Sequence, residues 1–310
     1  MDVLKLKRPA KKIFTIRFRA GVFNMHAHIK QRIESTINNI AALPTIPEVA
    51  TKILNMVNNP EVSFKAVAEE ISKDQSMTTN ILKLCNSAYF SKGKEITSID
   101  RAIVTLGLKE LTNIVMVIAA KPILDKYVIG YDLGKGELWK QGLMVGSLSK
   151  KIALQKNRKD IADVVFTGGI IHNIGKTVIA IFVQNTYNDI LDEVQKKNMT
   201  FNEAEKSVMG YSHQEISEKI LEKWNFPSVL KAIVRYYAEP ENAPEQFRSE
   251  VSIVHIANII SLMAGIGIGS DGLYHQLSSI AMSTTGITEA ELEELYARVP
   301  EMTRQILGIQ

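Results

Sequence analysis

One cysteine in 310 residues leaves no disulfide within the chain and no cysteine cluster for a metal. Cys85 stands in the apolar pattern Ile81, Leu82, Leu84, Cys85, which marks a small buried side chain rather than a nucleophile. A chain with no disulfide suits a reducing, cytoplasmic setting. Proline is sparse too, with nine in all, and the proline-free stretches are rich in Ala, Ile, Leu, Lys and Glu. That composition favours helices. Alternating apolar and polar residues never persist for a useful length, and no segment repeats, so the expected class is all-α.

A basic face is also missing. The net charge is +4, but residues 1–24 hold seven Lys and Arg against Asp2 alone, so residues 25–310 carry −2. Nucleic-acid binders usually show their basic footprint on the folded domain. Here it is confined to a tail, and binding through that tail is kept only as an alternative. The tail reads either as an arm for anionic partners or as sequence upstream of a start at Met25. No apolar run follows its charges, which excludes a secretory signal. Only Val251–Ser270 approaches the length of a membrane span without a charge. It contains Ser252, His255, Asn258 and Ser261, so a buried core helix is expected and no membrane.

What is present is a series of short helices with legible ends. Pro44 and Pro47 precede an amphipathic run with Val49, Ile53, Leu54 and Val57 on one face. Ser63, then Asp74 or Ser76, then Ser98 are expected N-caps, and Gly107 a left-handed C-cap. Residues 111–120 form an apolar helix ending before Pro122. Gly130, Gly134 and Gly136 mark a loop between two sub-lobes, and helices are expected at 137–156 and 161–183. Thr200 with Glu203, Ser212 with Glu215, and Thr288 with Glu291 form capping boxes. Pro227 suits the first turn of another helix.

Several segments then carry a resemblance. They are Leu43–Val49 (LPTIPEV), Asp74–Thr78 (DQSMT), Leu84–Phe90 (LCNSAYF) and Ile99–Gly107 (IDRAIVTLG), followed by Leu138–Gln141 (LWKQ), Gly168–Lys176 (GGIIHNIGK) and Ser212 to Pro240. In that order they resemble the HDOD family, relatives of the HD-domain phosphohydrolases, over about residues 36–265. The resemblance implies a multi-helix HD-like fold. Residues 1–35 would be a basic extension open to disorder, and 36–240 the HDOD domain. Its N-terminal sub-lobe would span 36–128 and its degenerate HD-like sub-lobe 137–240, with 241–310 as C-terminal helices packed on the latter.

HD-family hydrolases hold divalent metals with histidines and aspartates that activate water against a phosphate ester. By resemblance, the first ligand histidine corresponds to Gln141, the paired His-Asp to His172 and Asn173, and a further histidine to His213. The adjacent histidines of relatives that cleave cyclic dinucleotides correspond to Tyr236 and Tyr237, and the final aspartate to Asn258. Amides carry no charge to offset a divalent ion and are weak ligands. Two imidazoles fall short of the usual three or four donors. The expectation is no metal, no cofactor and no catalytic residue, with His172 hydrogen-bonded to Gln141, Asn173 or Asn258 and His213 in a cap or polar network.

The implied function is non-catalytic bacterial signal transduction through unidentified protein partners or a small ligand in the degenerate site. A phosphohydrolase with a rearranged site, using His172, His213 and Asp163 or Glu215, is the alternative. Two further motifs fail on spacing. Gly175-Lys176-Thr177 lacks the earlier P-loop glycine, and Gly265-Ile-Gly-Ile-Gly269 ends at Ser270 where a dinucleotide fingerprint needs glycine.

Overall fold

Helix ends marked by capping chemistry organise the computed structural model, which describes residues 27–36, 44–57, 59, 61–86, 95–197, 199–272 and 275–307. The basic tail lies outside them. All three capping boxes form, each with its hydroxyl on the third amide and its glutamate returned to the cap amide. Asp74 accepts from the Met77 amide and Ser98 from the Arg101 amide. Every element among the described residues is helical apart from one isolated bridge between Val128 and Leu133.

Helix α1 covers 27–36. There follow α2 (Glu48–Val57), α3 (Phe64–Ser72), α4 (Gln75–Cys85), α5 (Ile99–Leu106) and α6 (Leu108–Leu124). Helix α6 is buried along most of its length because it touches α2, α4 and α5 on one side and α8 on the other. The second group comprises α7 (Glu137–Gln155), α8 (Ala162–Ile171), α9 (Lys176–Lys197), α10 (Phe201–Met209), α11 (His213–Lys223), α12 (Ser228–Tyr236) and α13 (Arg248–Met263). Short helices α14 (Ser279–Thr285), α15 (Glu289–Ala297) and α16 (Val299–Leu307) close the chain, with α14 and α15 on α13 and α16 on α7.

The α7–α8 pair packs with backbone close to backbone, and glycine allows it. A Cβ on Gly142 would stand 2.4 Å from the Ile170 carbonyl oxygen, and one on Gly169 would stand 2.7 Å from the Gly146 Cα. Only bare backbone fits at such an approach.

Several expectations need correction. The helix expected at 161–183 is two helices, broken at residues 172–175, because the Gly175 backbone turns against α11 and its amide donates to Ser217 Oγ at 2.9 Å. Helix α6 runs past Pro122 to Leu124, so the proline lies inside its last turn rather than beyond its end. Gly107 ends α5 at φ 89, ψ 159, a positive-φ conformation that favours glycine but lies far in ψ from the left-handed helical cap expected, and it also begins α6. Ser63 sits at its cap position without a side-chain bond, and Pro227 is the N-cap of α12 rather than its first helical residue. The charge-poor stretch after Val251 is a buried helix that stops at Met263. Among the described residues, no single helix is long and apolar enough to cross a membrane.

Candidate functional site

The break between α8 and α9 delivers two consecutive polar side chains, His172 and Asn173, into the core. Helix α7 brings Gln141 and α13 brings Asn258. The Ser212 box starts α11 so that His213 is its first residue, and Tyr237 caps the end of α12. All six are buried.

Five of them form one hydrogen-bonded chain. Gln141 Nε2 donates to Asn258 Oδ1 at 3.4 Å, and Asn173 Nδ2 donates to Gln141 Oε1 at 3.1 Å. The Tyr237 hydroxyl donates to Asn173 Oδ1 at 2.6 Å and lies 2.9 Å from His213 Nε2. His213 Nδ1 is 2.8 Å from Glu205 Oε2, which also accepts from the His213 amide at 2.9 Å. The Tyr131 hydroxyl closes the far end on Glu205 Oε1 at 2.5 Å. A hydroxyl has one proton. With that of Tyr237 on Asn173, the Tyr237 oxygen is left to accept from His213 Nε2, and His213 Nδ1 faces Glu205. Burial, with the Glu205 carboxylate on Tyr131 and Asp271 on Tyr237, pushes both phenols well above their ordinary range, so they act as neutral donors.

His172 stands apart from this chain. Its Nδ1 donates to the Gly169 carbonyl at 2.7 Å instead of meeting an amide, which corrects the expectation. Its ring meets Tyr237 edge-on with centroids 4.7 Å apart, and Nε2 keeps a buried lone pair without a partner. Burial drives its pKa down to about 3, so the ring stays neutral. Tyr236 is not part of the site: it is half-buried, with the Arg235 guanidinium 5.2 Å from its ring centre. His255 serves as a pin, giving Nδ1–H to the Tyr237 carbonyl at 2.8 Å and accepting the Ser278 amide on Nε2 at 2.9 Å.

Residues that sequence reasoning passed over complete the site. Lys176 and Asp271 are both buried and pair at 2.7 Å, with the ammonium 5.0 Å from the Tyr131 ring centre. Burial works against the Asp271 charge, but Lys176 and His275 outweigh it and hold the carboxyl well below its usual range. Gly267, at φ 72, lets the loop after α13 lie on Gln141, whose side chain a Cβ there would meet at 2.5 Å. Glu205 looks like a solvated position in a charged helix, and Asp271 like a turn residue in Gly-Ser-Asp-Gly. The one signal was Lys176, the lone Lys, Arg, Asp or Glu of the 168–183 segment, set aside with the failed P-loop.

The donor set does not fit a divalent metal. Among the described residues, no group of three or more His, Cys, Asp or Glu is placed to hold one. Both nitrogens of His213 are engaged, so His172 Nε2 is the one imidazole lone pair left between them. The three amides are bonded to one another, and Lys176 adds a fixed positive charge nearby.

With this geometry in view, comparison with known proteins places the chain. The HDOD domain profile matches residues 43–240. An uncharacterised protein of Treponema pallidum (strain Nichols) is 25% identical over 229 residues, covering 73% of this chain and 43% of that protein. The Bacillus subtilis (strain 168) protein YuxH is 28% identical over 117 residues, 38% of this chain and 28% of its own length. The chain thus matches less than half the length of these two relatives. Among solved structures, an HDOD domain protein of unknown function from Geobacter sulfurreducens superposes with a TM-score of 0.64 at 22% identity, over 90% of this chain and 99% of that one. A Marinobacter aquaeolei protein provisionally named for signal transduction gives 0.66 at 16%, over 91% and 65%. One from Shewanella amazonensis, provisionally named a phosphohydrolase, gives 0.58 at 24%, over 84% and 97%. At these identities the likeness is one of fold.

Proposed function

We propose, from the premise that this chain belongs to the HDOD domain family, that it is a non-catalytic regulatory module of bacterial signal transduction that works by binding. The observation that carries this reading is the amide chain Asn173–Gln141–Asn258, in which Gln141 bonds both asparagines. These residues stand at the positions where the resemblance puts a metal-ligating histidine and two aspartates. A carboxylate there would need a cation, whereas an amide donates and accepts at once and fills the same space without charge. Neutral amides and internally paired ions make a site that supports itself. Its chemistry is cohesion, and recognition falls to the surfaces around it.

The test is elemental mass spectrometry of tag-free protein purified without chelator, with Mn, Fe, Ni and Zn quantified per chain. Well under one equivalent of any metal is expected, together with no metal-dependent cleavage of a generic phosphodiester such as bis(p-nitrophenyl) phosphate. A full equivalent that disappears in both His172→Ala and His213→Ala would sink the reading. It would favour the phosphohydrolase alternative, for which the free lone pair of His172 is the one supporting observation.

A further inference from the structure

Helix α13 ends in a Schellman arrangement. The Gly265 amide donates to the Leu262 carbonyl and the Ile266 amide to the Ser261 carbonyl, both at 3.0 Å, with Gly265 at φ 82. The Ile266 carbonyl in turn accepts from Ser261 Oγ at 3.2 Å, so the chain is fixed to the helix as far as Ile266. Beyond it run Gly267, Ile268, Gly269, Ser270, Asp271 and Gly272, of which three are glycine. We infer that these residues form a lid over the buried site, pivoting at Gly267, and that the Lys176–Asp271 ion pair is its latch.

Little else holds the lid down. Among the described residues, its one backbone hydrogen bond to another element is from the Ser270 amide to the Tyr131 carbonyl at 2.8 Å. Two more close within it, from Gly269 to the Gly267 carbonyl at 3.0 Å and from Gly272 to the Gly269 carbonyl at 2.9 Å. Ile268 is 44% exposed, and Asp271 is the one buried side chain the lid contributes. A segment that buries so little apolar surface opens more readily than the helices beneath it. The Asp271 carboxylate keeps it in place, 2.7 Å from Lys176 Nζ and 3.3 Å from His275 Nε2. Such a latch can release. Opening returns both charges to water, and the hydration regained offsets much of the attraction lost. An apolar pair in the same slot would lose its burial on opening and gain no such compensation.

The lid lies directly on the polar chain. Gly267 rests on the Gln141 side chain, and a Cβ on Gly269 would stand 2.6 Å from the Tyr131 carbonyl oxygen. Gln141 and Tyr131, near opposite ends of that chain, are 1% and 0% exposed beneath it. Gly267 sits at φ 72, a region that glycine enters without steric cost, and hinges are single residues that absorb such backbone changes. Lifting the lid would uncover both side chains and free the Lys176 ammonium. Ile268 would move with it, so the latch couples the interior to the outer surface.

This inference goes beyond the binding reading. Amide hydrogen exchange of the full chain, followed by NMR in rising urea below the unfolding transition, tests it. The Ser270 amide should exchange through an opening almost independent of urea, while amides of α7 and α13 show the steep dependence of global unfolding. Asp271→Asn should speed Ser270 exchange roughly tenfold or more, with the urea dependence still flat. Lys176→Met/Asp271→Leu, which removes both buried charges, should slow it below the parent rate. Ser270 exchange that tracks α13 at every urea concentration would show that no separate lid exists. An unchanged Ser270 rate in both variants would show that the ion pair is not the latch. Metal content, which tests the binding reading, is unaffected by either result.

Discussion

Lys176 and Asp271 form an ion pair buried in the core. Each is buried, and each has the other as its principal compensation for lost water. Breaking such a pair leaves one uncompensated charge, while replacing both with apolar groups removes the desolvation cost as well. Lys176→Met or Asp271→Leu alone should each cost about 3–5 kcal/mol, and the double variant far less than their sum. Urea unfolding of the four proteins measures this as a cycle, and additive losses would show that the pair does not act as a unit. The amide chain around Gln141 has no comparable charge at stake. The amide positions were named through the family resemblance, whereas the ion pair, made by residues 95 positions apart, matched no motif.

At the scale of elements, helix starts were written locally and helix packing was not. A capping box needs only a hydroxyl and a carboxylate three residues apart, so Thr200, Ser212 and Thr288 could be read directly. The break at 172–175 has no such code. No proline or cap motif marks it, and the meeting of Gly175 with α11 turns the chain. The α7–α8 crossing depends in the same way on a partner. Gly142→Ala would be tolerated, even favoured, in an isolated helix. In the folded chain it must push α8 away from a carbonyl 2.4 Å distant. A loss of about 1–3 kcal/mol is expected, read as a lower urea midpoint, and an unchanged midpoint would show that the crossing relaxes freely.

For the whole molecule, pH acts through groups on both sides of the fold. His172 and His255 are held down by burial, to about 3 and about 4, against an ordinary 6.5. Below 6.5 the unfolded chain binds their protons and the folded chain does not, so stability falls as pH falls, by about 1.4 kcal/mol per unit for each. Glu110, where α6 meets α7 and α8, opposes them. Burial raises its carboxyl to about 7, and between that value and its ordinary 4.5 the folded state holds the extra proton, so its contribution to stability grows as pH falls. Lys150 bridges it to Asp163 at 2.9 and 3.0 Å, which keeps three helices within reach of one titration. Two groups against one leave a net loss of about 1.4 kcal/mol between pH 6 and pH 5. Denaturation across that range checks it, and Glu110→Gln should make the fall about twice as steep. A flat profile in the parent would contradict the burial assigned to these histidines.

Composition, helix periodicity and capping pairs determined the all-helical class and most helix starts from sequence alone, because those signals act over three or four residues. Motif order likewise identified the family. Tertiary structure alone decided that the amides bond to one another, that His172 turns to Gly169, and that Tyr236 faces away. It also decided that Tyr131, Glu205, Lys176 and Asp271 share the same interior. Those outcomes depend on which donors and acceptors remain once water has been excluded, and no spacing along the chain encodes that.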